Sequence, residues 1–183
     1  MTAVIALGPE GTDSVSAARY WIARSADKSL TVATCRDYSS VFSDAGRYAD
    51  SYVVIPAGYR EASGATWVDL HFSSYGSQIR FVESFWLDTK PMAVMQADRW
   101  QKDAAIIHPA TQGLLRLVPE CEHINVAYST SKPKAVEQFY REGYRYCIGS
   151  IDPAIAVPDG IRYLKIFRPT MVWCVYFVAP ASP

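Results

Sequence analysis

The stretch of sequence that decides the fold is Ala6-Leu7-Gly8-Pro9-Glu10-Gly11-Thr12-Asp13-Ser14. The apolar run 3–7 leads into it and predicts a buried strand, and 15–23 follows it with the spacing of a helix. Gly8-Pro9 ends the strand, and Thr12-Asp13-Ser14 supplies residue types that cap helix N-termini. The stretch therefore predicts a strand, a glycine-containing turn and a helix N-terminus in direct succession.

A turn of this kind favours an anion. Backbone N–H groups in the first turn of a helix, together with the helix dipole, attract negative charge, and the hydroxyls of Thr12 and Ser14 add donors. An ordinary capped turn has the same pattern, so spacing leaves both an anion site and a purely structural cap open. Glu10 is expected to organise the turn through backbone N–H groups, with a role as base as the lesser alternative.

Composition and charge narrow the class of protein. The 183 residues include 18 basic and 18 acidic side chains, and this balance argues against nucleic acid or a membrane surface as partner. Because no apolar run could span a bilayer and no basic segment precedes the first one, a cytoplasmic location is expected. The cysteines lack metal-ligand spacing, which favours buried free thiols and no metal: they are Cys35, Cys121, Cys147 and Cys174.

The first third of the chain alternates between strand and helix patterns. A strand is predicted at 30–35, a helix opening at 38–42 and a strand at 52–55. Ser39 or Ser40 is the expected cap of that helix. The order implies a parallel sheet with right-handed crossovers. Ligands of such sheets bind beyond the carboxyl ends of the strands, where the turn 8–14 and the loop after Pro56 lie.

The rest of the chain continues the alternation, after a predicted loop at 57–70. Strands are predicted at 78–87, 91–95, 104–107, 124–128, 146–149 and 171–178, and helices at 111–117, 133–143 and 153–157. A second lobe is expected to begin within the first of these strands.

The opening stretch also carries a family resemblance. Leu7 to Ser14, with the pair Ala17-Ala18, strongly resembles the opening signature of the prephenate dehydratase family, Leu-Gly-Pro-Glu-Gly-Thr-aromatic-Ser followed by Ala-Ala. Further similar segments extend over nearly the whole chain, namely 42–56, His108-Pro109, Ser129-Thr130-Ser131 and 149–164.

The resemblance implies an α/β fold of two lobes, like that of periplasmic binding proteins and of the prephenate dehydratase catalytic domain, with the site in the interlobe cleft. Lobe 1 is then 1–84 plus 166–183, with the last strand returning to it, and lobe 2 is 85–165. The C-terminal regulatory domain of many dehydratases is expected to be missing, and a homo-oligomer is compatible with the family.

Two departures from the dehydratase pattern bear on function. Ala57-Gly58-Tyr59 stands where the family has Glu-Asn-Ser, and Val172-Trp173-Cys174 stands where it has Thr-Arg-Phe. In dehydratases this Thr is the proposed acid for the departing hydroxyl and this Arg holds a carboxylate. Val172 has no proton to donate, and loss of a positioned acid costs roughly 10²–10⁴-fold in rate. These two departures therefore argue against dehydratase activity.

The short prephenate decarboxylases, such as that of the bacilysin pathway, resemble the chain more closely at these positions. The shared features are Pro56-x-x-Tyr59, a Thr-Pro interrupted here as Thr89-Lys90-Pro91, His108-Pro109, Ser129-Thr130-Ser131 and Met171-x-Trp173. The resemblance implies a carboxy-lyase that converts prephenate to a dihydro-4-hydroxyphenylpyruvate in antibiotic or non-proteinogenic amino acid biosynthesis.

Decarboxylation without aromatisation needs a proton for a ring carbon and no acid at the hydroxyl. Tyr59, His108 or a bound water is the candidate proton donor, with His108 expected to titrate near neutrality. Packing of Tyr59 and a structural hydrogen bond of His108 are the competing interpretations. The substrate-binding candidates are Glu10, Thr12, Ser14, Lys90, Ser129, Thr130, Ser131 and Trp173, the last as an apolar wall for the ring, and no cofactor is implied.

Two other functions stay open at the level of sequence. The first is a prephenate dehydratase-like enzyme that acts on prephenate or a related cyclohexadienyl acid. The second is a non-catalytic protein that binds a small carboxylate, because two-lobed folds of this kind also serve as pure binders. A binder would gain thermal stability from prephenate without consuming it.

Overall fold

The computed structural model describes residues 2–61 and 63–180, and the chain divides into two compact units. Unit 1 consists of Met1–Arg60, Gly64–Leu87 and Thr170–Pro183, and unit 2 of Glu61–Ser63 and Asp88–Pro169. The chain passes from unit 1 to unit 2 after Leu87 and returns to unit 1 after Pro169. Both junctions lie a few residues beyond the predicted boundaries at 84/85 and 165/166. The ends of predicted lobe 1, residue 1 and residues 181–183, lie outside the described residues.

Strands and helices alternate through most of the described chain. The strands are β1 (Ala3–Leu7), β2 (Thr31–Cys35), β3 (Ser51–Pro56), β4 (Ile79–Asp88), β5 (Met92–Ala97), β6 (Lys102–Ile107), β7 (Asn125–Tyr128), β8 (Tyr144–Ser150), β9 (Ile161–Phe167) and β10 (Thr170–Val178). The α-helices are α1 (Asp13–Arg24), α2 (Tyr38–Ser43), α3 (Trp67–Ser73), α4 (Gln112–Leu115) and α5 (Lys132–Glu142).

Unit 1 is built on a five-stranded sheet in the order β2-β1-β3-β10-β4. β1 runs parallel to both β2 and β3, as predicted, and β10 returns antiparallel to β3. Alternate side chains of β1 and β10 pack under α1 on one face of the sheet, where Trp21 and Trp173 contribute to the core. The other face packs against α2 and α3 around Tyr38 and Tyr176.

Unit 2 repeats this topology with the strand order β7-β6-β8-β5-β9. Its first three strands are parallel, and β5 runs antiparallel to β8 and to β9. Ala135 and Phe139 of α5 bury against one face of the sheet, because residues four apart share one side of a helix. Leu115, Val118 and the segment after them cover the other face. Each unit is a mixed sheet with helices packed on both faces, which confirms the predicted α/β class.

Several local predictions were wrong. The predicted loop 57–70 contains the start of α3, where Thr66 and Asp69 form a reciprocal capping box. Asp37, rather than Ser39 or Ser40, caps α2 by accepting a hydrogen bond from Ser40 N. The predicted helix 111–117 is shortened to α4 between 3₁₀ turns, 153–157 forms no helix, and β9 was missed.

The cysteines are all buried and free in the described chain, in agreement with the expectation of buried thiols. Burial raises the pKa of Cys35 to about 12, and it raises the pKa of Cys121 and of Cys174 to about 11. These thiols stay protonated near neutrality and are poor nucleophiles. Among the residues described, no helix has the length and apolar character needed to cross a membrane.

Close packing in unit 2 leaves no room for a side chain at Gly149. A Cβ there would overlap Val136 Cγ2 and lie 2.7 Å from Met95 Cε. We expect Gly149→Ala to lower the free energy of unfolding of unit 2 by about 1–3 kcal/mol, measured by urea denaturation. Gly113→Ala in α4 is the matched control, because its Cβ meets no atom within 4 Å. Equal stability of the two variants would contradict this packing.

Candidate functional site

The candidate site of unit 1 lies at the edge of the sheet where β1, β2 and β3 end and β10 begins. Gly8 N donates a hydrogen bond to the Cys35 carbonyl (2.9 Å), and Ala57 N donates to the Val172 carbonyl (2.8 Å). The turns after the three parallel strands are thus tied to their neighbours at the edge where α/β sheets bind ligands.

The hydroxyl of Tyr38 holds this edge together. It donates to the Val54 carbonyl (2.6 Å) and accepts from Leu7 N (3.0 Å), which bridges β3 and β1. The Ser14 side chain, in the first turn of α1, is a further hydrogen-bond partner. Burial raises the pKa of Tyr38 far above its ordinary value, so the hydroxyl keeps its proton. The sequence pattern indicates Tyr38 only as the start of a helix, because its hydrogen bonds join distant strands.

Thr12 is the N-cap of α1, as one of the three predicted cap residues. Its hydroxyl accepts from Val15 N (3.3 Å) and donates to the Leu7 carbonyl (2.8 Å). Ser14 is buried beside it, and Asp13 places a carboxylate in the same first turn. An external anion at this helix end competes with that carboxylate for the helix dipole.

Glu10 does not organise the turn through backbone N–H groups, and that prediction was wrong. Its carboxylate instead pairs with the Arg19 guanidinium at 2.8 Å, and both side chains are more than 60% exposed. The Val15 N–H already bonds to Thr12, whereas Arg19 on α1 offers a charge-assisted partner at the surface. An exposed pair of this kind contributes little to stability.

Tyr59 and Trp173 are both buried in unit 1. The Tyr59 hydroxyl accepts from Tyr38 N (3.3 Å), and its ring meets the Tyr38 ring edge-on at 4.9 Å. Trp173 is 2% exposed, because it shares with Val175 the strand face that α1 covers. Its ring is therefore a core element rather than an open wall in this structure. The Trp173 Nε1 is buried and has no hydrogen-bond partner within the described chain.

The candidate site of unit 2 occupies the corresponding edge of its own sheet. Ser129 N donates to the Ile107 carbonyl (2.9 Å), and Ile151 N donates to the Pro91 carbonyl (2.8 Å). These bonds join the turns after β7 and β8 to the neighbouring strand ends. Five predicted residues follow or precede strands at this edge: Lys90, His108, Ser129, Thr130 and Ser131.

Ser131 is the N-cap of α5 and accepts from Lys134 N at 3.2 Å. Ser129 is buried, while Thr130 and Lys90 are exposed. The first turn of α5 contains no acidic residue and two lysines, Lys132 and Lys134. Cations at a helix N-terminus oppose the dipole, so a bound anion would favour this arrangement. Lys132 Nζ also donates to Met92 Sδ (3.6 Å), and Lys134 pairs with Glu137 (3.6 Å). Lys132 was not predicted as a site residue, although two basic residues after a serine cap are a recognisable signal in the sequence.

His108 does not titrate near neutrality, contrary to the prediction. Burial, with a smaller contribution from the charge of Lys132, lowers the pKa of His108 to about 4. Its Nδ1 accepts from Ala110 N (3.3 Å), which assigns the proton of the neutral ring to Nε2. Near neutral pH, His108 can therefore donate a hydrogen bond through Nε2 but is not an imidazolium acid.

Together, these groups equip unit 2 to bind a small carboxylate. The cap hydroxyl, the first-turn N–H groups of α5 and the ammonium of Lys132 are donors, and the neutral His108 adds another. Unit 1 offers a similar helix end with its own carboxylate in place. No group of three or more His, Cys, Asp or Glu residues suited to a metal ion occurs in 2–61 or 63–180.

Removing the Tyr38 hydroxyl tests how the unit 1 edge is held. Tyr38→Phe leaves the Leu7 N–H and the Val54 carbonyl without their buried partner, so we expect the free energy of unfolding to fall by about 1–3 kcal/mol. Urea denaturation followed by tryptophan fluorescence measures the change. Tyr75→Phe is the control in the same unit, because Tyr75 is 72% exposed. A Tyr38→Phe protein as stable as this control would show that the hydroxyl bridge is dispensable.

Comparisons with known proteins give matches among solved structures only. No family model and no curated protein matches the chain. The prephenate dehydratase of Arthrobacter aurescens in complex with L-Phe superimposes with a TM-score of 0.59 at 14% identity, over 100% of this chain and 62% of that one. The prephenate dehydratase of Staphylococcus aureus gives 0.59 at 13% identity, over 99% and 67%.

An ABC transporter protein of Parabacteroides distasonis is almost as similar, with a TM-score of 0.58 at 11% identity over 96% of this chain and 65% of that one. The chain thus spans about two thirds of the length of these proteins. At such identities the likeness establishes the fold alone. The chain has a prephenate dehydratase-like fold, shared with periplasmic-binding-protein-like domains, as the sequence predicted.

Proposed function

We propose that the chain is a carboxy-lyase that removes the ring carboxylate of prephenate and keeps the ring hydroxyl, giving a dihydro-4-hydroxyphenylpyruvate for antibiotic or non-proteinogenic amino acid biosynthesis. The observation that carries the proposal is the beginning of β10. Val172 is exposed there and Trp173 follows it, and neither side chain can protonate a departing hydroxyl. The fold supports an enzyme or a binder of small molecules, and this strand favours hydroxyl retention.

The proposed reaction balances without a cofactor. The bond between the ring and its carboxylate breaks, and carbon dioxide leaves. The electron pair of that bond shifts through the ring alkene, and a proton adds to the ring carbon next to the carbinol. The hydroxyl takes no part, so the product keeps it and does not aromatise. The protein has to hold the pyruvyl arm, leave the ring carboxylate poorly solvated and deliver one proton.

Binding of the pyruvyl carboxylate is assigned in this proposal to the N-terminus of α5. Ser131 caps that helix, and Lys132 adds a cation to its first turn, whereas Lys134 pairs with Glu137 at 3.6 Å. Ser129, Thr130 and Lys90 at the same edge of unit 2 are the supporting donors. In unit 1, Thr12 and Ser14 are proposed to contact the substrate through the α1 end, where the Asp13 carboxylate makes anion binding weaker.

Proton delivery is assigned to Tyr59 or to a water molecule. The pKa of His108, at about 4, makes this residue a neutral hydrogen-bond donor near pH 7, so we propose that it positions the substrate instead. The Tyr59 hydroxyl accepts a hydrogen bond from Tyr38 N. Trp173 is buried in the core of unit 1, so we propose that it acts by placing no acid at the start of β10 rather than by contacting the substrate.

A non-catalytic carboxylate binder is the second candidate. The likeness to the Parabacteroides distasonis ABC transporter protein favours a binder, because a similar fold occurs there in a protein named for transport. The lowered pKa of His108, which burial and the charge of Lys132 cause, is also compatible with binding alone.

Proton NMR of prephenate incubated with the protein near pH 7 separates these functions. We expect the carbinol proton to persist while non-aromatic diene signals appear faster than in a control without protein. Lys132→Gln is expected to raise KM by about tenfold, through loss of one charge-assisted hydrogen bond. Lys134→Gln, which removes a lysine that is 62% exposed, is the matched control and should change KM little.

Each other outcome has a distinct meaning. Phenylpyruvate formed faster than in the control would show a dehydratase and refute hydroxyl retention. Unchanged prephenate together with a raised melting temperature would show a binder. Unchanged prephenate without stabilisation would refute both candidates.

A further inference from the structure

Unit 2 contains a cavity at the edge of its sheet opposite to the candidate site. It has a volume of about 310 Å³ and opens where β5 ends and where β6, β8 and β9 begin. Asp98 N donates to the Gly160 carbonyl at 2.9 Å, and Gln101 N donates to the Gly143 carbonyl at 2.8 Å. These backbone bonds join three loops into one rim, so the cavity belongs to the folded unit.

The wall of the cavity carries charges of both signs. Asp98, Arg99 and Asp159 line it and are exposed. None of these three side chains makes a hydrogen bond or an ion pair with another side chain in the part of the chain that the structure describes. The neighbouring charges differ in this respect, because Glu142 is already paired with Lys102 (2.7 Å) and with Arg141 (2.9 Å). The cavity therefore presents two carboxylates and one guanidinium to a ligand.

The C-terminus of α5 adds to the preference for a cation. Gly143 ends the helix in a left-handed conformation with φ 67, and its N–H bonds to the Phe139 carbonyl. The other carbonyls of the last turn lack partners within the helix and carry the negative end of its dipole. An ammonium group near Asp98 and Asp159 would be attracted by both features, whereas a carboxylate would be attracted by Arg99.

Part of the cavity lining is apolar. Phe139, Tyr144 and Ala97 are buried lining residues, and Tyr140 is a half-exposed one. A volume of about 310 Å³ equals that of about ten water molecules and lies at the small end of ligand pockets. It admits a small molecule that carries an apolar side chain besides its charged groups.

From this arrangement we infer that the cavity of unit 2 binds a zwitterionic α-amino acid with an apolar side chain. The ammonium lies toward Asp98, Asp159 and the end of α5, the carboxylate toward Arg99, and the side chain against Phe139 and Tyr144. This site is separate from the groups proposed to act on prephenate, and it needs no catalytic activity. A zwitterion satisfies both signs of charge, whereas a simple acid or amine leaves one unpaired.

Calorimetry with L-leucine and two analogues, each of which lacks one of its charged groups, tests the inference. L-Leucine has both charges, 4-methylpentanoate lacks the ammonium, and 3-methylbutylamine lacks the carboxylate. None has a ring, which separates this site from one for prephenate. We expect L-leucine to bind saturably, and each of the other two to bind at least about tenfold more weakly. The amide NMR signals of Gly143 and Gly160 should shift with L-leucine.

Charge-removing variants test whether L-leucine binds in this cavity. Arg99→Gln and Asp159→Asn should each weaken L-leucine at least about tenfold. Arg116→Gln and Asp44→Asn, at exposed positions away from the cavity, are the matched controls and should leave the affinity unchanged. Failure of L-leucine to bind at millimolar concentration, equal affinity for the three probes, or binding that the cavity variants do not weaken would each overturn the proposal. Loss of prephenate turnover alone would not bear on it.

Discussion

The buried hydroxyl of Tyr38 is the interaction on which the unit 1 edge depends. Through one oxygen it joins β1 to β3, and through Ser14 it reaches the first turn of α1. Buried polar groups that lose such a partner are costly, so the bridge fixes where the turn after β1 stands. Tyr59 extends the same network by accepting from Tyr38 N. The helix end proposed to meet the substrate thus rests on a rigid, hydrogen-bonded base.

The two units share one strand topology but differ in the charges at the helix N-termini beside their sheets. Each has three parallel strands followed by an antiparallel one, and each presents a helix N-terminus at the carboxyl edge. Asp13 partly neutralises the helix end in unit 1, whereas the first turn of the helix in unit 2 has no acidic residue and contains Lys132. Burial, with a smaller contribution from the charge of Lys132, lowers the pKa of His108. We therefore assign anion binding mainly to unit 2 and leave hydroxyl retention to β10 of unit 1.

The sequence predicted the fold well because hydrophobic period and turn residues are local signals. The strand before Gly8, the Thr12 cap and the return of the last strand were all recognisable from residues or resemblance. Effects that depend on tertiary packing were not recognisable from the sequence. Burial of Trp173 follows from the strand face that α1 covers, and the low pKa of His108 follows from desolvation and a lysine 24 positions away. The α3 helix was missed because the Thr66–Asp69 capping box lies within a polar, glycine-containing stretch.

Titration of ¹⁵N-labelled protein with prephenate, observed faster than it is consumed, tests the assignment of the substrate carboxylate most directly. The account predicts saturable shifts of the amide signals of Ser131, Lys132 and Lys134 at the N-terminus of α5, with smaller shifts at Ser14 and Val15. The Lys132→Gln protein should need about tenfold more ligand to reach the same shifts. Shifts confined to other parts of the chain, or none at saturation of turnover, would contradict the proposed site.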